Sequence, residues 1–292
     1  MAEAGPALVE PLTAAEVAAT RASLDEAARR VRLAAGTLAE EDVLGGRPAL
    51  RVRRRTGAAT GTVLLLHGGG YRAGSPRVEA GVASELAAAT GVELAIPAYR
   101  LAPEHPLPAA VEDAVAGYRE LLAGGRSPDR IALAGTSAGG GLAAATTLAI
   151  AAAGLPRPAA LAALSPWLDL TVSASAYARN AASDPIFGAV AARRSAAAYL
   201  DGADPRTPLA SPLHADDAEL AGFPPTLLQA SRAEVLVDDA TAFHGRLRAL
   251  GVESTLQTWP AVTHCWHVQA PELPQAVDAL ERVGEFLEIR LG

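Results

Sequence analysis

The segment that decides the fold reads IALAGTSAG over residues 131–139. Its first four residues are apolar and predict a buried strand, and the small-residue run that begins at Gly139 predicts a helix. Ser137 lies between them in a turn so tight that the residues two before and two after it must be glycine or small, as Gly135 and Gly139 are. A serine held between a strand and a helix in this way is a nucleophile elbow, and we predict that Ser137 is a nucleophile.

Lysine is missing from the chain. The 292 residues contain 25 Lys and Arg, and all 25 are arginine, which codon bias explains. This excludes a phosphate-loop lysine, a Schiff-base lysine and a serine–lysine dyad, so another group must activate Ser137. A net charge of -7 also argues against nucleic acid or an anionic membrane as partner. The arginines at 51, 53, 54 and 55 are interpreted as a solvated strand rather than a binding patch.

The sequence gives few indications of disulfide bonds, metal sites or targeting segments. A single cysteine, Cys265, permits no internal disulfide and no cysteine-based metal site, and nothing in the sequence calls for a metal or cofactor. Residues 1–21 are acidic, without the basic start and apolar centre of a secretion signal. The longest apolar run, 139–155, falls short of a membrane span. We therefore expect a cytoplasmic protein without a membrane partner.

Strand and helix signals alternate along the chain, which predicts an α/β fold with a mostly parallel sheet covered by helices on both faces. Thr13 and Glu16 predict a capping box at the start of the first helix. Region 171–222 does not fit the alternation and is interpreted as an insertion with a short helix near 189–199. The predicted strands are 62–66, 93–96, 130–134, 160–164, 226–230 and 254–258, and the predicted helices lie near 13–35, 78–90, 108–123, 139–153, 238–250 and 273–290.

A glycine-rich loop, HGGG at 67–70, follows the first of these strands. Glycines without side chains let backbone N–H groups approach the oxyanion that forms during acyl transfer. Gly69, Gly70 and the N–H of Ala138 are the candidate donors, and His67 is assigned a positional role. The loop does not match a dinucleotide-binding fingerprint.

Without lysine, Ser137 needs a histidine as its base, and the chain has six histidines. In α/β-hydrolase chains the order is nucleophile, acid, base, and the histidine follows the last strand. His264 fits this position, and His267 is the alternative. The other four histidines lie at 67, 105, 214 and 244, where this order gives them no catalytic role.

The acid is expected in the loop after the strand at 226–230. Glu234 lies in the turn, whereas Asp238 and Asp239 fall in the first turn of the next helix, where carboxylates commonly complement the helix dipole. Glu234 is therefore the predicted acid and Asp238 the alternative. The role of Glu234 would be to orient the imidazole of His264 and to stabilise the imidazolium that forms.

Three motifs in the same order, HGGGY at 67–71, PAYRLAPEHPLPAA at 97–110 and GTSAGG at 135–140, make the chain similar to the bacterial hormone-sensitive-lipase-like esterases. Weaker matches are SPWLDL at 165–170, SPL at 211–213 and PPTLLQ at 224–229. The resemblance runs from about residue 60 to the C-terminus. It implies an α/β-hydrolase fold with a helical cap and a carboxylesterase without a cofactor that acts on short-chain to medium-chain acyl esters. The family triad carries over onto Ser137, Glu234 and His264, and its oxyanion hole onto Gly69, Gly70 and Ala138.

Two positions depart from the family pattern. Thr136 stands where much of the family has aspartate, which places the chain in the GTSAG subgroup. Glu234-Val-Leu stands where the usual motif is Asp-Pro-Leu, and glutamate is one methylene longer. Tyr71, beside the oxyanion loop, is a candidate for lining the substrate pocket or for packing.

The expected organisation is an N-terminal cap segment at 1–45 and a catalytic domain at 46–292, with 171–222 as an inserted cap segment. The expected partner is a small ester or lactone, and an edge strand could pair two subunits as a homodimer. Two alternatives to the carboxylesterase stay open at this point. One is a lactone hydrolase, acyltransferase or lyase of secondary metabolism that uses the same site, and the other is a non-catalytic ligand-binding protein with the same fold.

Overall fold

A single sheet of eight strands lies at the centre of the protein. The computed structural model describes residues 10–292. The strands follow the order β1-β2-β4-β3-β5-β6-β7-β8 across the sheet. Strand β2 runs antiparallel to both of its neighbours, and every other neighbouring pair is parallel, which confirms the predicted mostly parallel sheet. In chain order the strands are β1 (Thr37–Leu44), β2 (Arg47–Arg54), β3 (Thr62–Leu66), β4 (Glu93–Pro97), β5 (Ile131–Thr136), β6 (Ala160–Leu164), β7 (Thr226–Ser231) and β8 (Ser254–Trp259).

Helices cover both faces of the sheet. They are α1 (Ala14–Arg30), α2 (Pro76–Thr90), α3 (Ala109–Ala123), α4 (Ala138–Ala152), α5 (Ala176–Arg179), α6 (Ala189–Leu200), α7 (Asp217–Ala221), α8 (Val237–Ala249) and α9 (Pro274–Leu291). Short 3-10 turns occupy Pro128–Arg130, Pro212–His214 and Trp266–Gln269. Among residues 10–292, no helix is long and apolar enough to cross a membrane.

The two faces have separate cores because side chains alternate along a strand. On β3, Leu64 and Leu66 pack in a core with α3, α4 and α8, whereas Val63 and Leu65 pack in a second core with α2 and α9. All four are fully buried. Continuous apolar strands of this kind are expected only where helices cover both faces, and the predicted layering is confirmed.

The capping box predicted at the first helix is present. The hydroxyl of Thr13 accepts the N–H of Glu16 at 3.2 Å, and the Glu16 carboxylate accepts the N–H of Thr13 at 2.8 Å. Helix α1 ends at Arg30 rather than at 35, because the chain turns at Val31 toward the first strand.

The β1–β2 hairpin was only partly anticipated. Three of the four clustered arginines, at 51, 53 and 54, lie in β2, and Arg55 follows its end. Arg51 pairs with Asp42 of β1 and with Glu93 of β4. Strand β1 was missed, since it is an edge strand in which only the two end residues are buried and the acidic residues 40–42 interrupt the apolar pattern. The sheet thus begins at Thr37, inside the predicted N-terminal cap segment 1–45, and residues 1–9 of that segment lie outside the described residues.

The region 171–222 carries α5, α6 and α7 and adds no strand to the sheet. Helix α6 meets helix α1 through Arg194, whose guanidinium forms two hydrogen bonds of 2.7 Å with the Glu16 carboxylate. The two sequence segments expected to form a cap, although 178 residues apart at this contact, lie against each other in space.

Candidate active site

The turn at Ser137 has the strained backbone expected of a nucleophile elbow. Its φ of 53° is in the left-handed region, which non-glycine residues rarely adopt. A Cβ on Gly135 would lie 2.1 Å from the carbonyl oxygen of Gly139, and a Cβ on Gly139 would lie 2.0 Å from that of Leu66. Only glycine is compatible with these contacts. The two glycines therefore allow the tight turn in which Ser137 directly follows β5.

Ser137, His264 and Glu234 form one hydrogen-bonded chain. The Oγ of Ser137 lies 2.9 Å from Nε2 of His264, and Nδ1 of the same ring lies 2.6 Å from Oε2 of Glu234. The second carboxylate oxygen of Glu234 accepts the N–H of Ser231 at 2.8 Å, which fixes its orientation. Because the carboxylate can only accept from Nδ1, Nε2 is the nitrogen free to accept the serine proton.

The electrostatics of His264 favour its charged form. Burial alone lowers the pKa of this imidazole, but contacts with Cys265 and with the Glu234 carboxylate outweigh burial and raise the pKa well above the usual 6.5. The Sγ of Cys265 lies 3.4 Å from Nε2 of His264. The ring of Phe187 stacks on the other side, with centroids 5.7 Å apart. An imidazolium formed during catalysis would be stabilised in this environment.

The alternative base and acid have other partners. His267 is buried, its Nε2 lies 2.9 Å from Oε1 of Gln229, and burial lowers its pKa to about 3. Asp238 accepts hydrogen bonds from Ser175 and the Ala176 N–H at the start of α5 and pairs with Arg179 at 2.6 Å. The structure therefore brings His264 and Glu234, rather than His267 or Asp238, to Ser137.

The glycine-rich loop lies beside Ser137. Gly69 and Gly70 have φ values of 122° and 62°, and a Cβ on Gly69 would lie 2.1 Å from the carbonyl oxygen of Ala73. Both glycines line the same cavity as Ser137, and Ala138 follows directly as the first residue of α4. In residues 10–292, no acceptor takes the N–H of Gly69, Gly70 or Ala138. The three candidate oxyanion donors thus have their hydrogens available.

His67 and Tyr71, which flank these glycines, are core residues. The His67 ring stacks on Tyr99 with centroids 4.1 Å apart, and burial lowers its pKa to about 4, in keeping with a positional role. Tyr71 is 1% exposed and stacks on Tyr199 at 3.9 Å, so it packs behind the cavity rather than lining it. Of the two roles considered for Tyr71, the structure supports packing.

A mainly apolar cavity of about 340 Å³ opens onto Ser137. Its walls come from both expected cap segments, since Thr20 and Leu24 belong to α1, and Ile186, Phe187 and Ser195 belong to the insertion. The volume lies at the small end of the range for sites that bind small molecules. The cavity also suits an apolar acyl or alcohol group.

Sequence reasoning gave no role in the site to several polar residues that line the cavity, among them Arg72, Cys265 and Glu79. Arg72 donates to Oγ of Ser195 and to Oγ1 of Thr20, and so joins α6 and α1 above the oxyanion loop. Cys265 contacts the base, and Glu79 is a buried carboxyl on α2. No local motif marks them, although the position of Cys265 next to His264 and of Arg72 two residues after Gly70 could have suggested the first two.

Comparisons with known proteins identify the family and the fold. The profile of a family described as alpha/beta hydrolase fold matches residues 63–268. A protein from Streptomyces hygroscopicus named acetyl-hydrolase is 45% identical over 231 residues, which are 79% of this chain and 76% of that protein. Esterase LipU of Mycobacterium tuberculosis is 33% identical over 282 residues, which cover 92% and 93% of the two chains. A crystal structure of an esterase from the bacterial hormone-sensitive lipase (HSL) family is 40% identical, with a TM-score of 0.89 over 98% of this chain and 94% of that one.

Proposed function

Because this chain belongs to the α/β-hydrolase family, among the bacterial hormone-sensitive-lipase-like carboxylic ester hydrolases, we propose that it cleaves short-chain to medium-chain acyl esters with Ser137, His264 and Glu234 as its triad. The observation that carries the proposal is the hydrogen-bonded chain from Ser137 Oγ through His264 to Glu234. It places a base and its orienting carboxylate at a strained serine, the arrangement that nucleophilic acyl transfer needs.

In the acylation step, Oγ of Ser137 attacks the ester carbonyl carbon while Nε2 of His264 takes the hydroxyl proton. The carbonyl π electrons move to oxygen, and the N–H groups of Gly69, Gly70 and Ala138 donate to this oxyanion. When the tetrahedral intermediate collapses, the bond to the alcohol oxygen breaks and His264 returns the proton to that oxygen. The alcohol leaves, and the acyl group stays on Ser137.

Deacylation repeats these steps with water as the nucleophile. Nε2 of His264 removes a proton from water as its oxygen adds to the acyl carbon, and the oxyanion is held by the same three N–H groups. Collapse breaks the ester bond to Oγ, and the proton on His264 returns to Ser137. Throughout, Glu234 keeps its charge and holds Nδ1–H, so that Nε2 faces the reacting atoms.

The cavity supports the preference for small substrates. Its volume of about 340 Å³ and its apolar wall suit a short acyl chain, and the residues from α1 and from 186–195 close it on the side away from the sheet. We propose that the N-terminal segment and the insertion act together as the cap that sets the size of the acyl and alcohol groups.

The test is a substrate profile with matched variants. Purified protein is assayed on p-nitrophenyl esters from acetate to dodecanoate and on a lactone panel, beside Ser137→Ala. We expect the highest kcat/KM on the short to medium esters and a loss of roughly 10⁴-fold or more in kcat in the variant.

The control is Ser211→Ala, since Ser211 is a buried serine whose Oγ accepts the N–H of Leu170 and donates to the carbonyl of Pro205. This variant should keep its kcat on the esters after correction for the folded fraction. Near-full turnover by Ser137→Ala would disprove the mechanism, and faster turnover of lactones than of every ester would overturn the substrate assignment.

A further inference from the structure

Glu79 is a buried carboxyl beside the nucleophile that the proposed mechanism does not use. It lies in the first turn of α2, is 2% exposed and lines the cavity that contains Ser137. Burial raises the pKa of this carboxyl, although hydrogen bonds from Thr136 and Gly68 act in the opposite direction. Burying a carboxyl is costly unless its oxygens find partners, so these partners indicate what the group does.

One oxygen of Glu79 joins two separate segments of the site. Its Oε1 accepts the N–H of Gly68 at 3.1 Å and the hydroxyl of Thr136 at 2.5 Å. Gly68 directly precedes Gly69 in the oxyanion loop, and Thr136 directly precedes Ser137 in the elbow. A single acceptor atom is therefore bonded to the residue before the first oxyanion donor and to the residue before the nucleophile.

The two segments are in close contact at this point. A Cβ on Gly68 would lie 3.0 Å from Oγ1 of Thr136 and 3.4 Å from Cβ of Ser137. The loop and the elbow therefore pack directly against each other at Gly68. Oxyanion stabilisation depends on accurate distances between these two segments, because the donors must meet the oxygen of the transition state rather than that of the ground state.

The arrangement is more than a way of satisfying a buried group. The second oxygen, Oε2, is buried without a hydrogen-bond partner among the described residues, and such an oxygen costs free energy that an apolar side chain would avoid. Thr136 also stands where much of the family has aspartate. In this chain, the carboxyl next to the elbow comes from helix α2 instead.

We propose that Glu79 is a positioning residue that fixes the position of the oxyanion loop relative to the nucleophile elbow, through its hydrogen bonds to Gly68 and Thr136. The proposal rests on the proposed function of Ser137, Gly69 and Gly70. Since Glu79 acts through these residues, its contribution belongs to the transition state, and its loss lowers kcat with little change in KM.

The test combines kinetics with a transition-state analogue. Glu79→Ala, Thr136→Val and the double variant are assayed on p-nitrophenyl acetate and with an aryl trifluoromethyl ketone. In the ketone adduct, Oγ of Ser137 bonds to the carbonyl carbon, the π electrons move to oxygen and the proton passes to His264. Its binding therefore reports on the oxyanion donors.

We expect each single variant to lower kcat by about 10-fold to 100-fold, with KM within about two-fold and with the ketone bound more weakly by the same factor as the loss of kcat. Because one carboxyl oxygen accepts both hydrogen bonds, kcat of the double variant should be no more than about two-fold lower than kcat of the less active single variant.

Conservative and matched variants separate positioning from folding. Glu79→Gln keeps an acceptor oxygen, and Thr136→Ser keeps the donor hydroxyl, so both should retain kcat within about five-fold. Glu85→Ala on the same helix is the control, because Glu85 lines a different surface groove and should leave kcat unchanged. Thermal unfolding of every variant gives the folded fraction, and Glu79→Gln and Thr136→Val remain informative if Glu79→Ala does not fold.

Unchanged kcat and ketone affinity in a folded Glu79→Ala or Thr136→Val variant would overturn the proposal. The proposal would also be overturned if the fold-loss in kcat of the double variant equalled the product of the fold-losses of the two single variants. Failure of the proposed function is recognised separately, by Ser137→Ala keeping its activity. If Ser137→Ala is inactive while Glu79→Ala is fully active, only the role of Glu79 is wrong.

Discussion

At the scale of single residues, Glu234 is the member of the proposed triad at which the chain differs from the Asp-Pro-Leu motif usual in the esterases that it resembles. Glutamate reaches one methylene further than aspartate, and the structure accommodates it in the turn after β7, fully buried and bonded to the Ser231 N–H. Its other oxygen is 2.6 Å from Nδ1 of His264. A longer acid therefore still makes the contact that orients the imidazole.

The charge of Glu234 should be visible in the pH dependence of activity. His264 must be neutral to accept the serine proton, so kcat/KM falls as the pH drops through its pKa, which we expect above 6.5 because contacts with Cys265 and Glu234 raise it despite burial. Glu234→Gln removes one of these causes, and the acid limb of its profile should move to lower pH. We also expect kcat to fall by roughly 10²-fold to 10⁴-fold. The measurement is kcat/KM against pH on an aryl ester.

Asp238→Asn is the matched control for this prediction. Asp238 is bonded to Arg179 and the start of α5, so its neutralisation should leave the acid limb where it is in the wild type. A shift of the limb in Asp238→Asn, with none in Glu234→Gln, would transfer the acid role to Asp238.

At the scale of elements, the close packing of α4 on the sheet explains why so many of its residues are small. Its first turn lies directly against β3 and the loop after β6, and a Cβ on Gly141 would lie 2.0 Å from the carbonyl oxygen of Trp167. Glycine and alanine let the helix approach the sheet closely, so that its N-terminus and Ser137 stay at the strand ends. The apolar run at 139–155 therefore lies in a closely packed helix over most of its length, up to Ile150.

This packing can be tested by exchanging glycine for alanine in two helices. In Gly139→Ala the new methyl group meets the Leu66 carbonyl at 2.0 Å, and we expect the free energy of unfolding to fall by about 1–3 kcal/mol or more. In Gly245→Ala on α8 the methyl group meets nothing within 4 Å, and the variant should be more stable by about 0.5–1 kcal/mol. Urea unfolding measures both, and a stable Gly139→Ala would refute the close approach.

At the scale of the whole molecule, the cavity is assembled from parts that are distant in sequence. The sheet contributes Ser137 and the oxyanion loop, while α1 and the segment 186–195 form the opposite wall. Arg72 and the Glu16–Arg194 pair hold these two parts of the cap together. We therefore expect the composition of these two segments to affect the size of the substrate.

A cavity-filling substitution in α1 tests this role. Leu24→Trp places a larger side chain in the cavity, and we expect kcat/KM on p-nitrophenyl octanoate to fall about 10-fold or more relative to p-nitrophenyl acetate. Ser23→Trp introduces the same side chain at an exposed neighbouring position and should leave this ratio within about two-fold. Equal ratios in the two variants would show that α1 does not limit chain length.

The fold class and the local parts of the site could be derived from sequence because they depend on short-range patterns. Apolar runs and periodicity predict strands and helices, and the glycines around Ser137 and at 68–70 are required by backbone sterics within a few residues. Chain order then selected His264, and Glu234 was selected as the carboxylate nearest to the end of the preceding strand. The edge strand β1 was not predicted, because the consecutive acidic residues at 40–42 interrupt the alternation of apolar and polar residues that indicates a strand.

What only the tertiary structure decided is which distant groups meet. Ser137 and His264 are 127 residues apart, and Thr136 and Glu79 are 57 apart. Nothing in the sequence near Glu79 indicates that its carboxyl reaches the elbow, since that contact arises only when α2 packs on the sheet against β2 and β4. The sequence by itself therefore determined the layered fold and indicated the candidate nucleophile and the candidate oxyanion donors. Their relative placement, the shape of the cavity and the place of Glu79 depend on long-range packing, which sets distances that no local pattern encodes.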